Sequence, residues 1–242
     1  MYQDFAYVYD KLMADVPYDD WIAFYQRAFR RFGAQPSLVL DLGCGTGTLT
    51  ARLADLGYDM IGVDASGEML SVAKQKLPAA LFLQQDMASF ELYGTVDAIV
   101  SALDSMNYLT DEGDLLKCFF LCRNYLNPGG LFIFDMNSPY KLSRLLGNHT
   151  FVEEGEDYFY TWENEFDKES KICDFYLNIF MRRGKTYERI EEFQQERAYE
   201  TREVEDLLQQ AGLRLLAVTG GTRFSPPGKK SERLFFVAQK EN

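Results

Sequence analysis

The sequence predicts an α/β domain with a mainly parallel sheet, interrupted by an inserted antiparallel sheet. From residue 38 to residue 136, short apolar segments alternate with segments of helical periodicity, a pattern typical of a parallel sheet covered by helices. Between residues 151 and 199 the periodicity becomes two, which indicates antiparallel strands. Helix and strand signals resume after residue 200. We therefore expect a core of residues 1–150 and 200–242 with an insertion at 151–199.

The composition indicates an acidic globular protein. The chain has 242 residues, of which 47% are hydrophobic, and 25 Lys and Arg against 37 Asp and Glu give a net charge of -12. This charge disfavours nucleic acid and anionic membranes as partners. No apolar run approaches the ~20 residues of a membrane span, and no signal peptide is recognisable, so we expect a cytoplasmic protein. The four cysteines and one histidine lack metal-binding spacing, so no metal site is expected.

The strongest local signal is a glycine-rich turn after the first buried strand. The apolar run Leu38–Leu42 leads into alternating small residues: Gly43, Cys44, Gly45 and Gly47. Glycine allows unusual backbone dihedral angles and the close approach of a ligand. The spacing differs from Gly-x-Gly-x-x-Gly, because Thr48 occupies the place of the third glycine, and no Gly-Lys-Ser/Thr follows. Asp41, just before the turn, would repel a pyrophosphate but could pair with an ammonium group.

Further candidate residues follow the next three strands. Asp64 ends the second strand, where a carboxylate can accept both hydroxyl groups of a ribose, and Asp86 follows the third. Met69, in the intervening helix, could pack in the core or flank an adenine. Asp104, after the fourth strand, could hold a second substrate or only brace its loop. Ligands bind outside the carboxyl ends of such strands, so these side chains are expected to surround one site.

Four motifs occur in the order found in class I S-adenosylmethionine-dependent methyltransferases: Asp41-x-Gly43-x-Gly45-x-Gly47, Asp64, Asp86-Met87 and Pro128-Gly129-Gly130. The chain resembles that family over about residues 36–136 and 201–240. The resemblance implies a Rossmann-like methyltransferase sheet of strand order 3-2-1-4-5-7-6, S-adenosylmethionine as cofactor and in-line methyl transfer. The candidate cofactor-binding residues are Tyr18, Asp41, Gly43, Cys44, Gly45, Gly47, Asp64, Ala65, Met69, Asp86, Met87 and Leu103.

Two regions lie outside these motifs, the N-terminal segment and the insertion. The aromatic N-terminal segment should end in a helix from about Asp19 to Arg31, with Tyr9 and Tyr18 in or beside turns. In the resembling family such a segment folds over the cofactor, often with a tyrosine facing the methyl group. Tyr9 is therefore one candidate catalytic residue, and Asp104, after the fourth strand, is the other. The insertion is expected to form three antiparallel strands, which could cover the acceptor or form the interface of a homodimer.

We expect the acceptor to be a small molecule, with an amine as one candidate. The Asn/Asp/Ser-Pro-Pro-Tyr/Phe motif of amino-directed base methyltransferases is missing after the fourth strand, where Leu103-Asp104-Ser105-Met106 stands. Three alternatives stay open: an RNA or protein methyltransferase, a cofactor-binding protein without catalysis, and a nicotinamide-dependent oxidoreductase, which would share Asp64 but not the glycine spacing. The single histidine, His149, is expected to lie on the surface.

Overall fold

The computed structural model describes residues 3–241 and confirms the predicted α/β architecture. Its helices are Gln3–Leu12 (α1), Tyr18–Arg31 (α2), Thr48–Asp55 (α3), Gly67–Lys76 (α4), Glu112–Tyr125 (α5) and Thr201–Gln210 (α6). Its strands are Leu38–Leu42 (β1), Asp59–Asp64 (β2), Leu81–Gln84 (β3), Val96–Ser101 (β4), Leu126–Asn137 (β5), Thr150–Glu154 (β6), Tyr158–Asp167 (β7), Ile172–Arg183 (β8), Thr186–Arg197 (β9), Leu213–Thr219 (β10) and Arg233–Lys240 (β11). Within residues 3–241, no helix is long and apolar enough to cross a membrane.

The core sheet has seven strands in the order β3-β2-β1-β4-β5-β11-β10. Strands β1 to β5 are parallel, and β11 lies antiparallel between β5 and β10. When the inserted strands are left out of the numbering, this is the predicted order 3-2-1-4-5-7-6, which is confirmed. Because the chain continues from β1 to β2 on one side and later places β4 on the other, a crevice opens at the carboxyl ends of β1 and β4.

Helices cover both faces of the core sheet, and each face has its own apolar core. The side facing α5 and α6 buries, among others, Leu42, Phe119, Phe134, Leu208 and Phe236. The side facing α2 and α3 buries Trp21, Phe24, Tyr25, Val100 and Phe235. The buried residues of α2 include Trp21, Phe24, Tyr25 and Phe29, and those of α5 include Cys118 and Cys122.

The inserted sheet has four strands in the order β6-β7-β8-β9, one more than the three expected. The missed strand is β6, and all five of its residues are exposed. A strand without a buried face has no apolar alternation, so periodicity could not reveal it. One side of β8 is apolar and buried, with Cys173 and Phe175 beside the helical turn Lys141–Leu146.

The helix expected from about Asp19 to Arg31 is confirmed as α2, and Tyr18 lies beside a turn as expected, but Tyr9 does not. Tyr9 lies within helix α1, and Tyr18 is the first residue of α2. Phe5 and Val8 of α1 pack against Ile179 and Met181 of the inserted sheet, so α1 gains its stability from residues far away in the sequence. The helix therefore bridges the core and the insertion at the site described next.

Candidate active site

A cavity of about 390 Å³ lies at the carboxyl ends of β1, β2, β3 and β4. Twelve of the fourteen residues proposed from the sequence line it: Tyr9, Tyr18, Asp41, Gly43, Cys44, Gly45, Asp64, Ala65, Met69, Asp86, Met87 and Leu103. Gly47 and Asp104 do not. Several lining residues escaped sequence analysis, including Phe5, Thr46, Ser105, Tyr108 and Gln194. The first strands of the sheet, α1 and the inserted sheet thus share one cavity.

The three glycines of the turn have positive φ angles of 76°, 53° and 72° but serve different purposes. A Cβ on Gly43 would lie 2.8 Å from Ser105 Oγ, so this glycine admits the loop after β4. No heavy atom would come within 4 Å of a Cβ on Gly45, which borders the cavity. A Cβ on Gly47 would lie 2.8 Å from the Cβ of Ala73 in α4. Gly47 therefore allows two helices to pack closely and, unlike Gly43 and Gly45, does not line the cavity.

Gly47→Ala should destabilise the fold more than Gly45→Ala. Both variants put a side chain on a left-handed residue, which costs about 1 to 2 kcal/mol. Gly47→Ala also forces Ala73 aside, and overpacking of this kind adds about 1 to 3 kcal/mol. Urea unfolding of the two ligand-free variants measures the difference. Equal losses of unfolding free energy would contradict the packing role of Gly47.

Asp64 is oriented by the backbone around it. Its Oδ2 accepts a hydrogen bond from Gly45 N at 2.8 Å, and its Oδ1 accepts one from Ser66 N at 2.9 Å. Burial raises the pKa of Asp64, while these two bonds oppose the shift. Each oxygen keeps a further lone pair for a ligand in the cavity. The carboxylate is thus held ready to accept two hydroxyl groups.

Asp41 is almost completely buried and also lines the cavity. Its side chain accepts a hydrogen bond of 2.6 Å from Thr50 Oγ1. Burial raises the pKa of Asp41 to about 7, with Thr50 opposing the shift and Asp64 adding to it. A cation in the cavity would favour the ionised form of this carboxyl group.

Helix α1 is fastened to the glycine-rich turn by Asp10. Thr46 Oγ1 donates to Asp10 Oδ1 at 2.6 Å, and Lys76 Nζ lies 2.7 Å from Asp10 Oδ2. These contacts hold Phe5 and Tyr9 of the same helix in the cavity wall. Burial raises the pKa of Tyr9, and Tyr18 and Asp104 add to the shift.

The opposite wall joins the loop after β4 to the inserted sheet. Tyr108 donates a hydrogen bond of 2.9 Å from its hydroxyl group to Gln194 Oε1 on β9. Although 42% of Tyr108 is exposed, the ring borders the cavity together with Gln194. The sequence offered no local signal for Gln194, because its place depends on how the insertion folds back.

Asp104 does not line the cavity, and its expected role of holding the acceptor stays a prediction. Its Oδ1 lies 2.5 Å from a guanidinium nitrogen of Arg233, and the two side chains are only 16% and 18% exposed. Burial alone would raise the pKa of Asp104, but Arg233 and Lys141 hold it below its ordinary value. Asp104 is therefore an ionised partner of Arg233 beside the site, consistent with the alternative that it braces the loop.

Comparison with known proteins agrees with this arrangement. A family model described as a methyltransferase domain matches residues 39–130. "Putative methyltransferase YqeM" of Bacillus subtilis (strain 168) is 38% identical, with 99% of this chain and 97% of the relative covered. The crystal structure of an S-adenosylmethionine-dependent methyltransferase from Clostridium acetobutylicum ATCC 824 is 36% identical, has a TM-score of 0.91 and is matched over 100% of this chain and 99% of that one.

A more distant solved structure shares the fold alone. The sugar N-methyltransferase KedS8 from Streptoalloteichus sp ATCC 53650 has a TM-score of 0.75 at 23% identity, over 94% of this chain and 89% of that one. The full-length matches at 38% and 36% identity are the stronger finding. They show that the chain belongs to the S-adenosylmethionine-dependent methyltransferases.

Proposed function

We propose that this enzyme transfers the methyl group of S-adenosylmethionine to a nitrogen atom of a small amine. The observation that carries the proposal is the composition of the cavity wall. Asp41, Asp64 and Asp86 border it, and none of the described lining residues is Lys, Arg or His. Such a wall favours cationic and amino-bearing ligands, the sulfonium cofactor among them, over the phosphates of a nucleic acid.

The residues present fit the cofactor. A volume of about 390 Å³ falls within the ~300–1,000 Å³ range of small-molecule sites. Asp64 would accept the ribose hydroxyl groups, and Asp86 and Met87 would contact the adenine. Asp41 would pair with the ammonium group of the amino-acid end. The free space beside Gly45 would let the ligand approach the backbone.

The acceptor would lie between Tyr9 of α1, Tyr108 and Gln194 of the inserted sheet. Burial raises the pKa of the Tyr9 phenol, so it stays protonated and acts through hydrogen bonds and not as a base. KedS8, a protein of the same fold, is named a sugar N-methyltransferase, which supports a nitrogen atom of a small molecule as the acceptor here. The inserted sheet contributes Gln194 to the cavity wall, which supports a role of this sheet in covering the acceptor.

When bound, the cofactor supplies a methyl group attached to a positively charged sulfur, and in an in-line displacement the sulfur leaves as a neutral thioether. The chain contributes orientation and the exclusion of water. Tyr9 and Tyr108 would direct the lone pair of a neutral amine, while Phe5 and Leu103 keep that part of the wall apolar.

Methyl transfer from labelled S-adenosylmethionine tests the proposal. The purified enzyme is assayed against a panel of small amines, including amino sugars, and against total RNA and total protein from the cells in which it is produced. We expect label in small amines and its loss in Asp64→Ala. Label in RNA or protein alone, also lost in Asp64→Ala, would overturn the proposed acceptor class. Absence of transfer to every acceptor despite tight cofactor binding would favour a protein that binds the cofactor without catalysis.

Tyr9→Phe should lower turnover about three- to tenfold, the effect of losing one hydrogen bond near the acceptor. The affinity for S-adenosylhomocysteine should change less than twofold, because the ring remains in the wall. Steady-state kinetics and calorimetry measure the two effects. Tyr187→Phe on the exposed side of β9 is the matched control. Unchanged turnover in Tyr9→Phe would remove Tyr9 from the acceptor site.

A further inference from the structure

The loop after β4 has an unusual backbone. Leu103 and Asp104 are consecutive non-glycine residues with φ angles of 56° and 60°. Asp tolerates the left-handed region, but a bulky residue such as Leu rarely adopts it, at a cost of about 1 to 3 kcal/mol. Leu103 lines the cavity, and Ser105 two residues later lies against Gly43. The shape of this wall therefore depends on a strained residue.

A buried carboxylate on β5 faces this loop. Asp135, near the end of β5, is 0% exposed. Its Oδ1 accepts hydrogen bonds from Leu103 N at 3.0 Å and from Trp21 Nε1 at 2.7 Å. Its Oδ2 accepts one from Asp104 N at 3.2 Å and another from the Arg233 guanidinium. Two of these four donors are the amide groups of the two left-handed residues.

We propose that Asp135 is a positioning residue for methyl transfer: its carboxylate holds the Leu103–Asp104 turn in the left-handed form that shapes the cavity. The proposal builds on the proposed function only in naming the ligand. A relaxed Leu103 would turn its amide away from Asp135 and move Ser105 from its place against Gly43. Arg233 forms ion pairs with both Asp104 and Asp135. It therefore links the turn to the carboxylate, while the backbone strain lies at Leu103.

Charge-assisted bonds to two adjacent amides are strong enough to offset this strain. Hydrogen bonds to a charged group are individually stronger than neutral ones, and the buried setting strengthens them. Asn at position 135 would keep one acceptor oxygen but present an NH₂ group to the second amide. Asp135→Asn therefore removes one of the two hydrogen bonds to the turn while nearly preserving the side-chain volume.

The test compares Asp135→Asn in two backgrounds, wild type and Leu103→Gly. Calorimetry measures the affinity for S-adenosylhomocysteine, and thermal unfolding measures stability. In the wild-type background we expect about tenfold weaker binding. Glycine adopts the left-handed form freely, so in the Leu103→Gly background the same change should cost less than threefold. A merely structural role would not make the loss depend on the residue at position 103.

Asp97→Asn is the matched control. Asp97 Oδ2 accepts from two consecutive amides, Ser37 N and Leu38 N, at 2.9 Å each, but it lies near the start of β4, away from the cavity. Its loss should leave the affinity for S-adenosylhomocysteine within twofold of wild type. A tenfold loss in this variant as well would show a general effect of destabilisation and overturn the assignment.

The remaining outcomes also decide the matter. Wild-type affinity in Asp135→Asn, or the same loss in both backgrounds, would overturn the positioning role. If Asp135→Asn folds only in the Leu103→Gly background, the positioning role is supported. If it folds in neither background, Asp135 is needed for the stability of the whole fold, and the positioning role is overturned. Failure of the wild-type protein to bind S-adenosylhomocysteine would instead count against the cofactor site of the proposed function.

Discussion

Asp64→Ala should weaken the binding of S-adenosylhomocysteine by about 10- to 100-fold. Two ribose hydroxyl groups would lose a charged acceptor, and hydrogen bonds to charged groups contribute about 1.5 to 3 kcal/mol. The carboxylate is already oriented by Gly45 N and Ser66 N, so wild type loses little entropy in making these bonds. Isothermal titration calorimetry at constant pH and ionic strength measures the change.

A second carboxylate on the same strand provides the control. Asp59 stands at the other end of β2 and is exposed, so Asp59→Ala should bind the ligand as wild type does. Circular dichroism of both variants checks that β2 remains folded. If Asp64→Ala and Asp59→Ala bind equally well, the ribose is not held by Asp64.

Asp41→Asn should stabilise the ligand-free protein at high pH and at the same time weaken ligand binding. The carboxyl group ionises near pH 3.8 in the unfolded chain but near pH 7 in the folded one. Because the folded pKa is raised, the wild-type fold loses stability as the pH rises from about 4 to 7. Asparagine cannot ionise, so the free energy of unfolding of the variant does not fall in this pH range. In wild type the fall reaches about 4 kcal/mol.

Urea unfolding at pH 4 and pH 8 measures the stability effect. The advantage of Asp41→Asn over wild type should grow by about 2 to 4 kcal/mol between these values. At pH 8 the variant should bind S-adenosylhomocysteine about tenfold more weakly, because the ammonium group loses its partner. The affinity for 5'-methylthioadenosine, which has no ammonium group, should change little. An advantage independent of pH would show that Asp41 is ionised throughout in the folded protein.

The residues at the strand ends could be predicted to share one cavity because their signals are local. The glycine-rich turn, Asp64 and Asp86-Met87 each directly follow a strand, and parallel strands bring their carboxyl ends to one edge. The sequence order of these motifs was therefore enough to place them together. Gly47 shows the limit of this argument, since its neighbour Ala73 belongs to another helix.

The proposed acceptor half of the site depends on contacts between distant segments. Asp104 pairs with Arg233 on the last strand, and Gln194 reaches Tyr108 from the inserted sheet. No local pattern distinguishes a carboxylate that faces a ligand from one that faces an arginine 129 positions later. Helix α1 is a different case, because Phe5, Val8, Tyr9 and Leu12 have helical spacing, and the prediction of turns there was wrong.

A crystal structure with S-adenosylhomocysteine tests the central claim most directly, that the cavity at the carboxyl ends of β1, β2 and β4 is the cofactor site. We predict one ligand per chain, with its ribose within hydrogen-bond distance of Asp64, its adenine beside Met87 and its amino group towards Asp41. A ligand bound elsewhere, or one in this cavity with its ribose turned away from Asp64, would contradict the account.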